Sequence, residues 1–293
     1  MENQNKIIFE INKIISEEIK ILNSYYNYDL KRFFCPELFY GSAFLAFFNI
    51  EDIPDFIPDK NFKINNSLDG RENITFFDTY KIISLITGIE LLAIGLNMHT
   101  SHENTFRKVS GRSENSEKNY TIELLFGDIF YSRAIAYLIN FDNFIIFDNI
   151  LKSILSIHRS RMIVHQKIKD IFDCGRNNAW FFNKGFSEVR MLNALLKEIF
   201  FTGIGVSNFD VTADKTKDFL MIINEMVLLK TYNDLTDYVR QAAPESFESS
   251  HFKYDEDFLN KADDLRKSLN IKINRLEPEW IKENFLKLFF KLA

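Results

Sequence analysis

A chain of 293 residues is long enough for two ordinary domains or one large helical one, and it can bury a sizeable core. Hydrophobic residues at 46% and charged residues at 26% suit a globular protein, and a net charge of −5 with no basic stripe argues against a nucleic-acid partner. Two cysteines, Cys35 and Cys174, form neither a disulfide framework nor a zinc site, so a reducing cytoplasmic compartment is the default.

The chain holds 31 Phe against ten Gly and five Pro, which favours long helices around a bulky core. Abundant Phe, Ile, Asn and Lys together also fit a biased genome, so the excess carries no functional weight. The N-terminal segment lacks the basic-then-apolar pattern of a signal peptide. Ile8, Ile11, Ile15, Ile19 and Leu22 are spaced three and four apart and predict an amphipathic helix over 7–26. A second helix is expected over 36–48. Pro54, Pro58, Asn65-Asn66 and Asp69-Gly70 mark 49–71 as a loop. Apolar helix follows over 73–98. Its core, 82–98, carries Glu90 and Asn97 and is short for a bilayer, so no transmembrane segment is expected. Residues 100–119 are polar and read as a loop. Helices are expected over 122–138, 144–171, 187–201, 215–239, 255–269 and 278–292. No strand pattern, repeat or domain linker interrupts them.

The stretch Asn233-Asp234-Leu235-Thr236-Asp237 closes one of these helices. Asn233 and Asp237 lie i,i+4, and Asp234 and Asp237 lie i,i+3, so three oxygen-bearing side chains share one face. Hard oxygen ligands so placed are what a hydrated magnesium ion carrying a diphosphate docks on. Acidic pairs at this spacing also decorate many solvated helix faces, so the neighbouring motifs decide.

Those motifs are Ile89-Glu-Leu-Leu-Ala-Ile-Gly-Leu-Asn-Met-His99, then Leu124-Leu-Phe-Gly-Asp128-Ile-Phe-Tyr-Ser132-Arg133-Ala134, then Asn233 to Tyr238, then the ending from Leu276. In this order the chain resembles the trans-isoprenyl diphosphate synthases, or polyprenyl synthetases. The resemblance spans most of the chain and is strongest in the Gly-Asp helix at 127–128. It implies an all-α bundle of ten or more helices around a central apolar cavity, one isoprenoid synthase-like domain over 1–293. It places Asn233, Asp234 and Asp237 in the second aspartate-rich motif. It also puts Gly95 and Leu96 beside the cavity, where a small residue leaves the tunnel open for long products; close helix packing explains Gly95 equally well.

The departures from the family are specific. Where catalytic members carry D-D-x-x-D, this chain has Thr100-Ser101-His102-Glu103-Asn104. Thr100, Ser101 and Asn104 replace all three aspartates, and one wall of the magnesium cluster loses its ligands. The cationic side is thinned as well. In the early G-K-x-x-R-P run Arg32 falls at the lysine and Cys35 at the arginine. Arg107 and Lys108 stand two residues early for the R-R-G pair. A later lysine-threonine becomes Met191-Leu192, with Arg190 beside it.

The resemblance therefore implies a non-catalytic or regulatory subunit of a heteromeric long-chain polyprenyl diphosphate synthase in isoprenoid or quinone side-chain biosynthesis. It is similar to the non-catalytic small component of heptaprenyl diphosphate synthase. Its partner would be a catalytic synthase subunit or a second copy of itself. No cofactor follows from the sequence unless the second motif still holds Mg2+. Two alternatives stay open: an active but diverged prenyltransferase, and a helical isoprenoid-binding or lipid-binding protein without catalysis.

Other residues carry structural expectations. Asp128, in an apolar helix, is expected to be buried with a polar partner. His99 and His102 read as a polar cluster at a helix end, and His158 and His165, with Arg159 and Arg161, as a solvated face. Asp142 and Asp148 read as helix caps, and Cys174 as unreactive. Phe126, Ile129, Phe130, Ala134, Ile135 and Leu138 cover more than one face of their helix, which predicts dimerisation through 122–138.

Overall fold

The computed structural model describes residues 2–25, 30–34, 38–48, 79–105, 114–174, 189–207, 213–242 and 253–292. Among them are nine α-helices and no strand. We label the helices α1 (Glu2–Tyr25), α2 (Phe39–Leu45), α3 (Thr79–Thr105), α4 (Glu114–Ile139), α5 (Phe144–Cys174), α6 (Ala194–Val206), α7 (Ala213–Ala242), α8 (Lys253–Ile273) and α9 (Glu279–Leu292). Short 3-10 turns at Leu30–Phe33 and Arg190–Asn193 precede α2 and α6. The loop expected over 49–71 lies outside the described residues, as do Arg107, Lys108 and the side chains of Arg32, Cys35 and Cys174.

On α1 the buried stripe is Ile7, Ile11, Ile15 and Ile19. Ile7 leads it instead of Ile8, because four-residue steps back from Ile19 arrive at position 7. Helix α3 is buried nearly all round from Ile82 to Leu96. By length and composition Thr79–His99 could cross a membrane, a longer stretch than the one read from sequence, but 89% of its most apolar window is buried inside the fold.

The polar stretch 100–119 is not one loop. Helix α3 runs on to Thr105, and α4 already begins at Glu114. A helix once nucleated adds a hydrogen bond with each residue, so it propagates past the end of its core-facing positions.

Helices α3 and α4 pack through small residues. A methyl group at Gly88 would meet Leu138 Cγ at 2.8 Å, and one at Gly127 would meet His99 Nε2 at 2.7 Å. At Gly95 it would meet Tyr131 Cδ1 at 3.0 Å and the Gly127 carbonyl at 3.1 Å. On the far side of the bundle Phe47, Phe200, Phe219 and Phe285 join α6, α7 and α9 to the end of α2, with ring centroids 5.4–6.3 Å from Phe47. Such edge-on contacts are the preferred geometry of aromatic pairs.

Ion pairs among the described residues tie helices together. Arg133 of α4 donates from Nε to Glu18 Oε2 of α1 at 2.9 Å and from Nη2 to the other oxygen. Lys272 of α8 pairs with Glu225 of α7, whose second oxygen accepts from Ser268 at 3.1 Å.

Candidate functional site

A cavity of about 180 Å³ opens where the end of α3 meets α5, α7 and the 3-10 turn before α6. Leu96 and Asn97 of α3 line it just before Thr100. Opposite them stand Lys230, Asp234, Asp237 and Tyr238 of α7, with Arg161 of α5 and Asn193 between. Helices α3 and α7 thus share one cavity. Three of its lining residues are aliphatic, Leu96, Ile157 and Leu192. Of the two residues expected at the cavity, Leu96 lines it, and Gly95 faces the α3–α4 seam, where it lets Tyr131 and the Gly127 carbonyl approach.

The second motif is engaged from within the chain. Asp234 Oδ1 accepts from the Lys230 ammonium one helical turn before it. Its Oδ2 accepts from Asn193 Nδ2 at 2.9 Å. Asn193 is buried at 4% exposure, and the same amide lies 3.2 Å from Thr231 Oγ1. Thr231 in turn donates to the Val227 carbonyl at 2.7 Å. Asn233 turns away from the cavity: its Nδ2 donates to the Leu292 carbonyl at 2.7 Å, and its Oδ1 accepts from Arg266 Nη2 at 3.2 Å. Asp237 is exposed at the cavity mouth.

Burial lowers the affinity of Lys230 for its proton, but Asp234, Tyr40 and Tyr238 together outweigh it, so the ammonium is held above its ordinary pKa. Burial pushes the Tyr40 hydroxyl up. On the other wall, Arg161 Nη1 donates to the Leu96 carbonyl at 2.9 Å. The resemblance read from the sequence implies magnesium here, and the donor set does not fit it. Asp234 already carries an ammonium and an amide, Asn233 faces a guanidinium, and residues 100–104 include no aspartate. The backbone of Thr100, Ser101 and Asn104 continues α3, while their side chains lie outside the described residues.

Asp128 has the expected polar partner, His99, but is not buried. Its side chain is 72% exposed, 3.4 Å from His99 Nε2. Phe126, Phe130, Ala134 and Leu138 hold the buried face of α4, and at about 100° per residue Asp128 falls roughly opposite them. His99 stacks on Tyr131 with centroids 5.1 Å apart. His158 is also a correction: it is half-buried, with Nε2 3.1 Å from the Tyr131 hydroxyl. Burial, Arg161 and His99 hold its pKa below the ordinary value. Arg161 lies at the cavity, not on a solvated face. Neither predicted cap is one. Asn143 Oδ1 accepts from the Ile145 and Ile146 amides at 3.1 Å, Asp142 sits at φ 59°, and Asp148 pairs with Lys152 within α5.

Sequence reasoning missed Lys230, Asn193 and Tyr40. Lys230 was visible as an i,i+4 partner of Asp234. Asn193 and Tyr40 carry no local signal, since each reaches the cavity from a separate element.

The sequence matches no family model and no curated protein. Among solved structures the chain is similar to heptaprenyl diphosphate synthase from Staphylococcus aureus, with a TM-score of 0.61 at 12% identity, over 99% of this chain and 96% of that one. The fold is thus all-α and of the prenyl synthase type.

Proposed function

We propose that this protein is a non-catalytic subunit of a heteromeric long-chain polyprenyl diphosphate synthase, a single synthase-like domain over 1–293 that works in the cytoplasm beside an aspartate-complete partner. The observation that carries this reading is Asp234, whose two oxygens are met by Lys230 and Asn193. Ionising an allylic diphosphate requires its leaving group to be neutralised by metal ions held between two acidic walls. Here one wall has Thr100, Ser101 and Asn104 in place of aspartates, and the other is occupied by the chain's own cation.

The uncovered apolar face of α4 supports a partner. Leu125 is 45% and Ile139 53% exposed, and beyond the α4–α5 turn Phe144 and Ile145 are 75% and 76% exposed. Large apolar side chains left exposed on one helix and the turn after it are what an interaction site offers. A second chain of the same fold is the occupant that the fold family suggests.

The test is co-expression with candidate synthases, followed by magnesium-dependent elongation assays of each chain alone and mixed. The expected result is no turnover by this chain alone and higher turnover, or a longer product, in the mixture. Elongation of farnesyl or geranylgeranyl diphosphate by this chain alone, abolished by Asp234→Ala, would overturn the reading.

A further inference from the structure

Lys230 sits on the cavity side of α7, one turn before Asp234, and its side chain and that of Asp234 are 28% and 25% exposed. It is held where a cation bound to Asp234 would lie. The carboxylate cannot swing away from it freely. Asn193 grips the second oxygen at 2.9 Å, and Asn193 is itself buried against Thr231.

The same substitution of roles occurs at Asn233. Its amide oxygen faces Arg266 at 3.2 Å, and that guanidinium is held in turn by Asp263 at 2.6 Å from its other nitrogen. Two of the three motif positions are therefore met by positively charged side chains of the same chain. Only Asp237 remains exposed, and a single surface carboxylate is a poor magnesium site, because this ion keeps most of its water shell and needs more than one fixed anionic ligand. A divalent ion at Asp234 would have to stand beside the ammonium or displace it.

We propose that Lys230 is a built-in counter-ion that replaces the divalent cation on the second motif, and that removing its charge turns Asp234 and Asp237 into a divalent-cation site. The two carboxylates lie i,i+3 on one face and line the same cavity. With the ammonium gone they are the pair on which a hydrated ion docks. The inference rests on reading this helix as the second motif, as the proposed function does, but it does not depend on any partner.

The experiment uses the full chain alone and manganese as the probe, with binding read from the loss of the free-ion electron paramagnetic resonance signal. Wild type is expected to take up no stoichiometric manganese. Lys230→Ala and Lys230→Gln are expected to gain one site, with affinity rising roughly tenfold or more over wild type, and adding Asp234→Ala should abolish it. Lys230→Gln guards against misfolding, since its amide can still donate to Asp234. Stoichiometric manganese binding by wild type that Asp234→Ala weakens overturns the proposal. So do folded lysine variants, judged by circular dichroism, that bind no tighter than wild type. A chain that pairs with no synthase but behaves as expected here would refute the proposed function and leave this inference standing.

Discussion

Glu90 is buried at 6% exposure in the middle of α3, and its Oε1 accepts from the Gly41 amide at 2.7 Å at the start of α2. Burial pushes its pKa up to about 7, although the Gly41 and Tyr40 amides and Lys291 pull the other way. Between its ordinary value and about 7 the folded state holds the proton and the unfolded state does not. Stability is therefore full below the ordinary value and is lost as pH rises through about 7. Glu90→Gln keeps the acceptor and removes the charge. Relative to wild type it should gain up to about 3 kcal/mol at high pH and little at low pH, as read from urea midpoints at pH 5 and pH 8. An equal difference at both pH values would refute the assignment.

Two glycines of α6 make a matched pair at the same scale. A methyl group at Gly203 would meet the Phe44 carbonyl oxygen at 2.5 Å, whereas one at Gly205 meets nothing within 4 Å. Backbone cannot move aside as a side-chain tip can. Gly203→Ala should cost about 1–3 kcal/mol, and Gly205→Ala should gain about 0.5–1 kcal/mol from helix propensity. Thermal midpoints that shift in the same direction would contradict this packing.

Helix α4 has two jobs on two faces. Phe126, Phe130, Ala134 and Leu138 face the core, Arg133 holds α1 through Glu18, and Leu125, Ile135 and Ile139 are left outside. The expectation that its apolar residues cover more than one face is met by a different set. Ile129 is part-buried, and Leu125 and Ile139 carry the outer face with Ile135. Leu125→Glu with Ile139→Glu should then split any dimer, seen as a halved mass by sedimentation, with the far-ultraviolet circular dichroism unchanged. A monomer at all concentrations in wild type, with no binding to a synthase, would remove the interface altogether.

For the molecule as a whole, pairing should register as stability even where no turnover is measured. A partner that binds only the folded chain stabilises it by about 2.7 kcal/mol at a hundredfold excess over Kd, so its unfolding midpoint rises with partner concentration. Titrating a candidate synthase into this chain and following its thermal unfolding tests that directly. A midpoint indifferent to every candidate would leave the chain without its proposed role. The outer face of α4 would then need another occupant.

The sequence by itself determined the helical class and most element positions, because hydrophobic period and scarce breakers are local properties. It also read directly that Thr100, Ser101 and Asn104 follow His99, and that Asp234 and Asp237 lie i,i+3 on one helix. It did not determine which groups meet at the cavity. Asp128 was expected inside because one apolar helix can bury either face, and only the packing of α4 against the rest of the bundle chose. His158 and Arg161 were expected in solvent for the same reason. Asn193, Tyr40 and Lys230 converge from three elements, and no spacing within any one of them encodes the meeting. Of the two partners of Asp234, Lys230 is legible in the sequence at i,i+4, and only Asn193 is a tertiary fact. A carboxylate's role is set by which donors reach its oxygens, and those donors are fixed by how the helices pack.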